Sequence, residues 1–151
     1  MIIVERSALV ERPADRMYAL VEDIESYPQF LPWCSETEVP LREQGRTVAI
    51  LRVSYHGIRQ QFSTENRNEP GRSIEIRLLS GPFRHLQGFW RFDALSEQSC
   101  KVSLKLEYEF SNRLLERMVG PVFGHIANTL VDAFVRRAYA TGLDHEREDP
   151  R

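Results

Sequence analysis

Proton transfer and metal binding near neutral pH fall first to histidine, and the chain has four: His56, His85, His125 and His145. No two of them share a spacing that brings imidazoles onto one face of one element, so no metal site is expected. His125 has Asp132 two helical turns further on, a pair that could polarise the imidazole. Catalysis there would also need a nucleophile or a substrate proton, and none is indicated. The two cysteines, Cys34 and Cys100, form no C-x-x-C pair and read as small core residues of a reducing compartment. G-x-S-x-G, P-loop and dinucleotide-binding fingerprints are all missing. No catalytic residue and no metal ligand is therefore assigned.

Charge is the second resource for recognition. Lys+Arg number 20 against 22 Asp+Glu, a formal −2, which excludes a uniformly basic nucleic-acid coat and a strongly acidic tail. DNA is not an expected partner. Only Lys101 and Lys105 are lysine; the other basic residues are all arginine. Codon bias accounts for such an excess without function, whereas a guanidinium surface that grips phosphates or carboxylates accounts for it with one. Arg59, Arg67, Arg77, Arg84 and Arg91 fall on predicted strands or turns. They could form an outward patch, or they could pair across strands with Glu65, Glu69, Glu75 and Asp93; both readings stay open. Arg113, Arg117, Arg136 and Arg137 sit at the ends of a predicted helix, where the last two also suit the helix dipole.

The elements that position these residues can be read from periodicity. The 151 residues suit one domain, and 42% hydrophobic with 28% charged residues suits a packed core. Residues 2–10 form a first strand with Val4, Ala8 and Val10 on one face. Pro13 opens a helix carrying Met17, Leu20, Val21 and Ile24, and a second helical turn ends at Pro32. From Trp33 to Phe110 the period is two, with turns at Gly57, Pro70-Gly71 and Gly81-Pro82, giving about six antiparallel strands. The clearest has Cys100, Val102, Leu104, Leu106, Tyr108 and Phe110 alternating with polar residues. A long helix over 113–139, capped by Ser111 or Asn112 and kinked at Pro121, carries a broad apolar stripe. Its uncharged stretch, 118–131, is too short to span a bilayer, so no transmembrane segment is expected. The amino terminus carries charges where a signal peptide needs apolar residues.

The predicted class is α+β: one domain over 1–142, in which the long helix covers the apolar face of a twisted sheet, and a polar, frayed tail over 143–151. By strand parity Leu51, Val53, Phe62, Ile76, Leu78, Trp90, Phe92, Leu104 and Leu106 face that helix, and Val122, Ile126 and Leu130 face them. These residue types are what either a solid core or a lipid pocket would show, and composition alone favours the solid core.

A series of short motifs then sets the chain beside a known family. Tyr27-Pro28-Gln29-Phe30-Leu31-Pro32-Trp33-Cys34, Gly57-Ile58-Arg59-Gln60-Gln61-Phe62 and Gly81-Pro82-Phe83-Arg84-His85-Leu86 come first. Trp90-Arg91-Phe92, Phe110-Ser111-Asn112-Arg113-Leu114-Leu115, Gly120-Pro121-Val122-Phe123 and Leu130-Val131-Asp132-Ala133-Phe134 follow in order. With these the chain resembles the coenzyme Q-binding, START-like branch of the polyketide cyclase/dehydrase superfamily, and more narrowly its ribosome association toxins. The resemblance covers residues 1 to about 140. It implies a helix-grip fold, a curved antiparallel sheet wrapped round the carboxy-terminal helix with an apolar tunnel between them. It implies no required cofactor, and ubiquinone or another isoprenoid lipid as ligand. The parity set would line that pocket, with Tyr55, Tyr108 and Trp90 as hydrogen-bond donors to a quinone carbonyl or lipid head. It also implies the large ribosomal subunit as a partner, and Arg59, Arg84, Arg91 and Arg113, which lie inside the motifs, are the contact candidates. The expected place is the cytoplasm, with peripheral contact to the inner membrane left open. A polyketide cyclase using the same pocket is the enzymatic alternative.

Overall fold

Alternation of apolar and polar residues gives this chain its largest element, a seven-stranded antiparallel sheet. The computed structural model describes residues 1–148, and the side chains of 1–140. β1 (Ile2–Val10) is followed by α1 (Ala14–Glu22) and a 3₁₀ turn (Ile24–Gln29). Then come β2 (Cys34–Glu43), β3 (Arg46–Tyr55), β4 (Ile58–Glu69), β5 (Ser73–Ser80), β6 (Phe83–Ser96) and β7 (Ser99–Phe110), before α2 (Arg113–Glu148). The sheet order is β1-β7-β6-β5-β4-β3-β2. β2 to β7 thus form a meander, and β1 joins it antiparallel to β7, from Ile2 opposite Tyr108 to Val10 opposite Cys100. This is the α+β helix-grip class that the order of elements and the motifs together imply.

The buried face of β7 is the one its alternation predicts: Cys100 to Phe110, every second residue, is buried. α2 covers that face with Val119, Val122, Phe123, Ile126, Ala127, Val131, Phe134 and Ala138, all buried. It packs chiefly on β1 and β7, and only lightly on β4. Asn112 starts the helix, its Oδ1 accepting a hydrogen bond from the Leu115 N–H at 2.9 Å. α1 is fixed from below by buried Met17 and Val21. From the side it is fixed by Arg42 of β2, which bridges Glu22 (2.8 Å) and Glu25 (2.6 Å).

Two boundaries and one membrane criterion differ from the sequence reading. The 3₁₀ turn ends at Gln29 with Pro28 inside it, because Pro28 is the second residue of the turn closed by the Phe30 N–H on the Tyr27 carbonyl (3.2 Å), a position that needs no N–H. The membrane criterion also changes: Arg113–Ala140 is long and apolar enough to cross a membrane by length and composition, which the uncharged stretch alone understated. Its apolar stripe is instead in the core of the sheet–helix sandwich. Finally, α2 runs beyond Gly142 to Glu148, since Leu, Glu and Arg are good helix formers; positions 149–151 of the expected tail lie outside the described residues.

Candidate ligand cavity

Between the sheet and α2 lies a cavity of about 80 Å³. The 3₁₀ turn contributes Ile24 and Tyr27, the following loop Trp33, β3 Ala49 and Leu51, and β4 Phe62, Thr64 and Asn66. β5 adds Ile76, β6 Leu86 and Trp90, β7 Leu106, and α2 Phe123, Ile126 and Leu130. Two aromatic clusters flank it. Phe83, Tyr108, Phe110 and Phe123 pack ring to ring at 4.7–6.3 Å on one side. Tyr27, Phe30, Trp90 and Phe134 do so at 5.2–6.2 Å on the other. The free volume is well below the roughly 300–1,000 Å³ of a pocket that holds a drug-sized molecule. In this conformation the cavity takes no more than a small group.

Of the fourteen residues expected to line a pocket, Leu51, Phe62, Ile76, Trp90, Leu106, Ile126 and Leu130 do so. Val53, Phe92, Leu104, Tyr108 and Val122 are buried in the surrounding core, and Leu78 is half-buried outside the lining. Tyr55 lies at the end of β3, stacked on the His125 ring at 5.6 Å, so it does not reach the cavity. His125 itself is exposed on α2. Tyr108 sits edge-on to Phe83 and Phe123, and its burial pushes its hydroxyl pKa upward.

Parity alone could have found the polar part of the lining. The inward series of β4 continues from Phe62 through Thr64 and Asn66 to Asn68, and following the face rather than the hydrophobicity would have included them. Thr47, Thr64 and Asn66 are the buried polar residues of the core. Thr64 Oγ1 donates to Asn66 Oδ1 at 3.0 Å, and Asn68 Nδ2 donates to Thr47 Oγ1 at 3.3 Å. Ile24, Tyr27 and Trp33 were missed because the 3₁₀ turn and its loop fold under the sheet, a long-range placement that local periodicity does not carry; Ala49 shares the inward parity of Leu51 on β3.

Tyr27 is the titratable side chain of the lining. Its hydroxyl donates to the Val21 carbonyl, and burial, followed by the nearby Cys34, Glu22 and Asp23, pushes its pKa up. Among the described residues no charged side chain lines the cavity, and no group of three histidine, cysteine, aspartate or glutamate residues could hold a metal ion.

The four candidate ribosome-contact arginines do not lie in one row; Arg84 and Arg113 both lie beside Ser111, at the starts of β6 and α2. Arg84 lies 3.9 Å from Glu109 and donates to the Ser111 carbonyl at 3.3 Å, and Arg91 pairs with Asp93 at 3.3 Å. Arg59 and Arg113 make no ion pair or side-chain hydrogen bond among the described residues. Arg91 is opposite Ser73, which is opposite Glu69 at the far end of β4 from Arg59. Ten residues of strand, roughly 33 Å, therefore separate Arg59 from the Arg91 row. Other arginines follow the pairing alternative: Arg46 bridges Glu43 and Glu65, and Arg77 pairs with Glu75.

A curved antiparallel sheet gripping one long helix over an apolar cavity defines a START-like, helix-grip protein. The chain belongs to the polyketide cyclase/dehydrase and lipid transport family, whose model matches residues 10–135, and within it to the ribosome association toxin RatA family. It is 43% identical over 135 residues to the ribosome association toxin RatA of Pseudomonas aeruginosa, covering 89% of this chain and 94% of that protein. A more distant relative is the mitochondrial coenzyme Q-binding protein COQ10 homolog B of Xenopus laevis, 27% identical over 82% of this chain and 52% of its own length. Among solved structures the Zhui aromatase/cyclase of Streptomyces sp. R1128 superposes with a TM-score of 0.81. It is 21% identical, and the match covers 91% of this chain and 93% of that one. At that identity it shows the shared fold alone.

Proposed function

We propose that this protein is a non-catalytic binding module of the RatA type. It holds a quinone or another isoprenoid-like lipid between sheet and helix, and it associates with the large ribosomal subunit in the cytoplasm. The observation that carries the ligand reading is the cavity itself, walled by apolar and aromatic side chains, without a charged group, and placed between sheet and helix. The names of the relatives support the two halves separately, ribosome association in one and coenzyme Q binding in the other. A cyclase working in the same pocket would need proton-transfer groups in the lining, and Tyr27 is engaged with backbone and held protonated.

Native mass spectrometry of protein purified from cells tests the ligand half: an extractable quinone or lipid is expected. Protein that is repeatedly ligand-free and takes up no added quinone refutes it. Co-sedimentation with large ribosomal subunits tests the other half. Binding should weaken as salt rises, because each arginine–phosphate contact releases counterions. Exchange of Arg59 and Arg113, the two unpaired candidates, should reduce the salt slope. Absence from the subunit pellet at every salt concentration refutes it.

A further inference from the structure

The cavity carries one polar feature that an apolar ligand alone does not explain. Asn66 is 7% exposed and lines the cavity. Its Oδ1 is engaged by the Thr64 hydroxyl, while its Nδ2 has no hydrogen-bond partner among the described residues. An amide with one half unpaired at an inward position forgoes the apolar burial that leucine or valine would supply there. Trp33 and Trp90, also in the lining, make no side-chain hydrogen bond among the described residues either. An unengaged amide N–H₂ and two unengaged indole N–H groups are all donors. The walls offer no cation to neutralise an anion and no carboxylate to receive a cation.

We infer that Asn66, held by Thr64, is the hydrogen-bonding anchor of the cavity, and that its ligand is a neutral apolar molecule bearing a carbonyl-type acceptor oxygen. Thr64 fixes the amide so that Nδ2 is the free half, and the register supports the placement. Asn66 lies opposite Thr47 on one side and Ile76 on the other, so its amide adjoins the apolar wall on which the ligand's hydrocarbon would rest. Fatty acids as carboxylates and zwitterionic head groups are excluded from this position because desolvating their charges would go uncompensated. The inference rests on the ligand-binding reading above and narrows it to a chemical class.

The test uses 2-undecanone, undecane and undecanoate at pH 8 as probes. The fluorescence of Trp33 and Trp90 is the readout, since both tryptophans of the chain line the cavity. The quantity compared is the ketone-to-alkane affinity ratio in wild type against Asn66→Leu, which cancels the hydrophobic contribution of the shared chain. Loss of one hydrogen bond should lower that ratio about 3–10-fold. Thr64→Val, which frees the amide to rotate, should lower it in the same direction and serves if Asn66→Leu does not fold. Undecanoate should bind more weakly than the ketone to wild type. An unchanged ratio in both variants, with the probes still bound, overturns the anchor and leaves the ligand-binding reading standing. Undecanoate binding as tightly as the ketone overturns the neutral class. Failure of all three probes to bind wild type refutes the ligand-binding reading and this inference with it.

Discussion

Gly88 lies on the inward face of β6 between two cavity-lining residues, and it gives the most direct check that the cavity is real space. A Cβ built there would stand 2.9 Å from Leu106 Cδ2 and 3.5 Å from Ile76 Cβ and Cδ1. In a closed core the 2.9 Å contact would have to be relieved by backbone movement, and overpacking of that kind destabilises by about 1–3 kcal/mol. Here the obstructing atom is the end of a leucine side chain that borders about 80 Å³ of free volume. Leu106 can move the necessary half ångström or so into the cavity. Removing glycine from the unfolded chain contributes about 0.4–1 kcal/mol in the other direction. Gly88→Ala is therefore expected to change stability by less than about 1 kcal/mol. Gly81→Ala is the control. Gly81 has φ +149°, and its Cβ would meet Phe62 Cβ at 2.6 Å and Phe62 Cα at 3.3 Å, so the obstacle is close to backbone. That variant should lose about 2 kcal/mol or more. Urea unfolding followed by tryptophan fluorescence and circular dichroism measures both. With a slope of about 2 kcal/mol/M the two midpoints should differ by roughly 1 M. Gly88→Ala as damaging as Gly81→Ala would mean that Leu106 has nowhere to go and that the cavity is filled.

Three further outcomes follow from the same structure. Arg42 hydrogen-bonds Glu25 and holds its carboxyl below the usual range; the stability this gives is present above about pH 4.5 and is lost as pH falls through the lowered value. Arg42→Gln should therefore flatten the acid limb of a stability–pH curve, and an unaltered limb refutes the assignment. Asn112→Ala removes the α2 cap and should lower stability by about 1 kcal/mol in thermal or urea unfolding, with Asn112→Ser restoring most of it. Burial pushes the Cys34 thiol up to about 11, and Cys100 is buried as well. Iodoacetamide at pH 8 should modify neither in native protein and both in urea, as read by intact mass; rapid native labelling of Cys34 would place it outside the core.

Local pattern determined most of the sheet. Six unbroken alternations made β7 legible, and Asn112 followed by an apolar stripe made α2 legible, because both signals lie within one element. The polar end of the lining was not read, although Thr64 and Asn66 share parity with Phe62, because a search for apolar alternation stops where the residues turn polar. Tyr27 and Trp33 were not placed because their position depends on the 3₁₀ turn folding under β2 and β3, and contacts between distant segments leave no local period. The arrangement of the arginines was not legible for a related reason. Their outward direction follows from parity, but their mutual distances follow from register, and register sets Arg59 at the opposite end of β4 from the row of Arg91.

The packing of α2 accounts for where the cavity lies. The helix is held along β1 and β7, touches β4 lightly, and leaves the inner faces of β3, β4 and β5 to be covered by few large side chains. At that end β3 and β4 present Ala49, Thr64 and Asn66, residues too short to reach across to Phe123 and Ile126. Thr47 opposite Asn66 and Ala49 opposite Thr64 make the shortage continuous over two cross-strand pairs. Small and polar residues there forgo apolar burial of about 1.5–3 kcal/mol for each large side chain they replace. A fold selected for stability alone would fill that volume with leucine or phenylalanine. The gap therefore coincides with the part of the sheet on which α2 packs least.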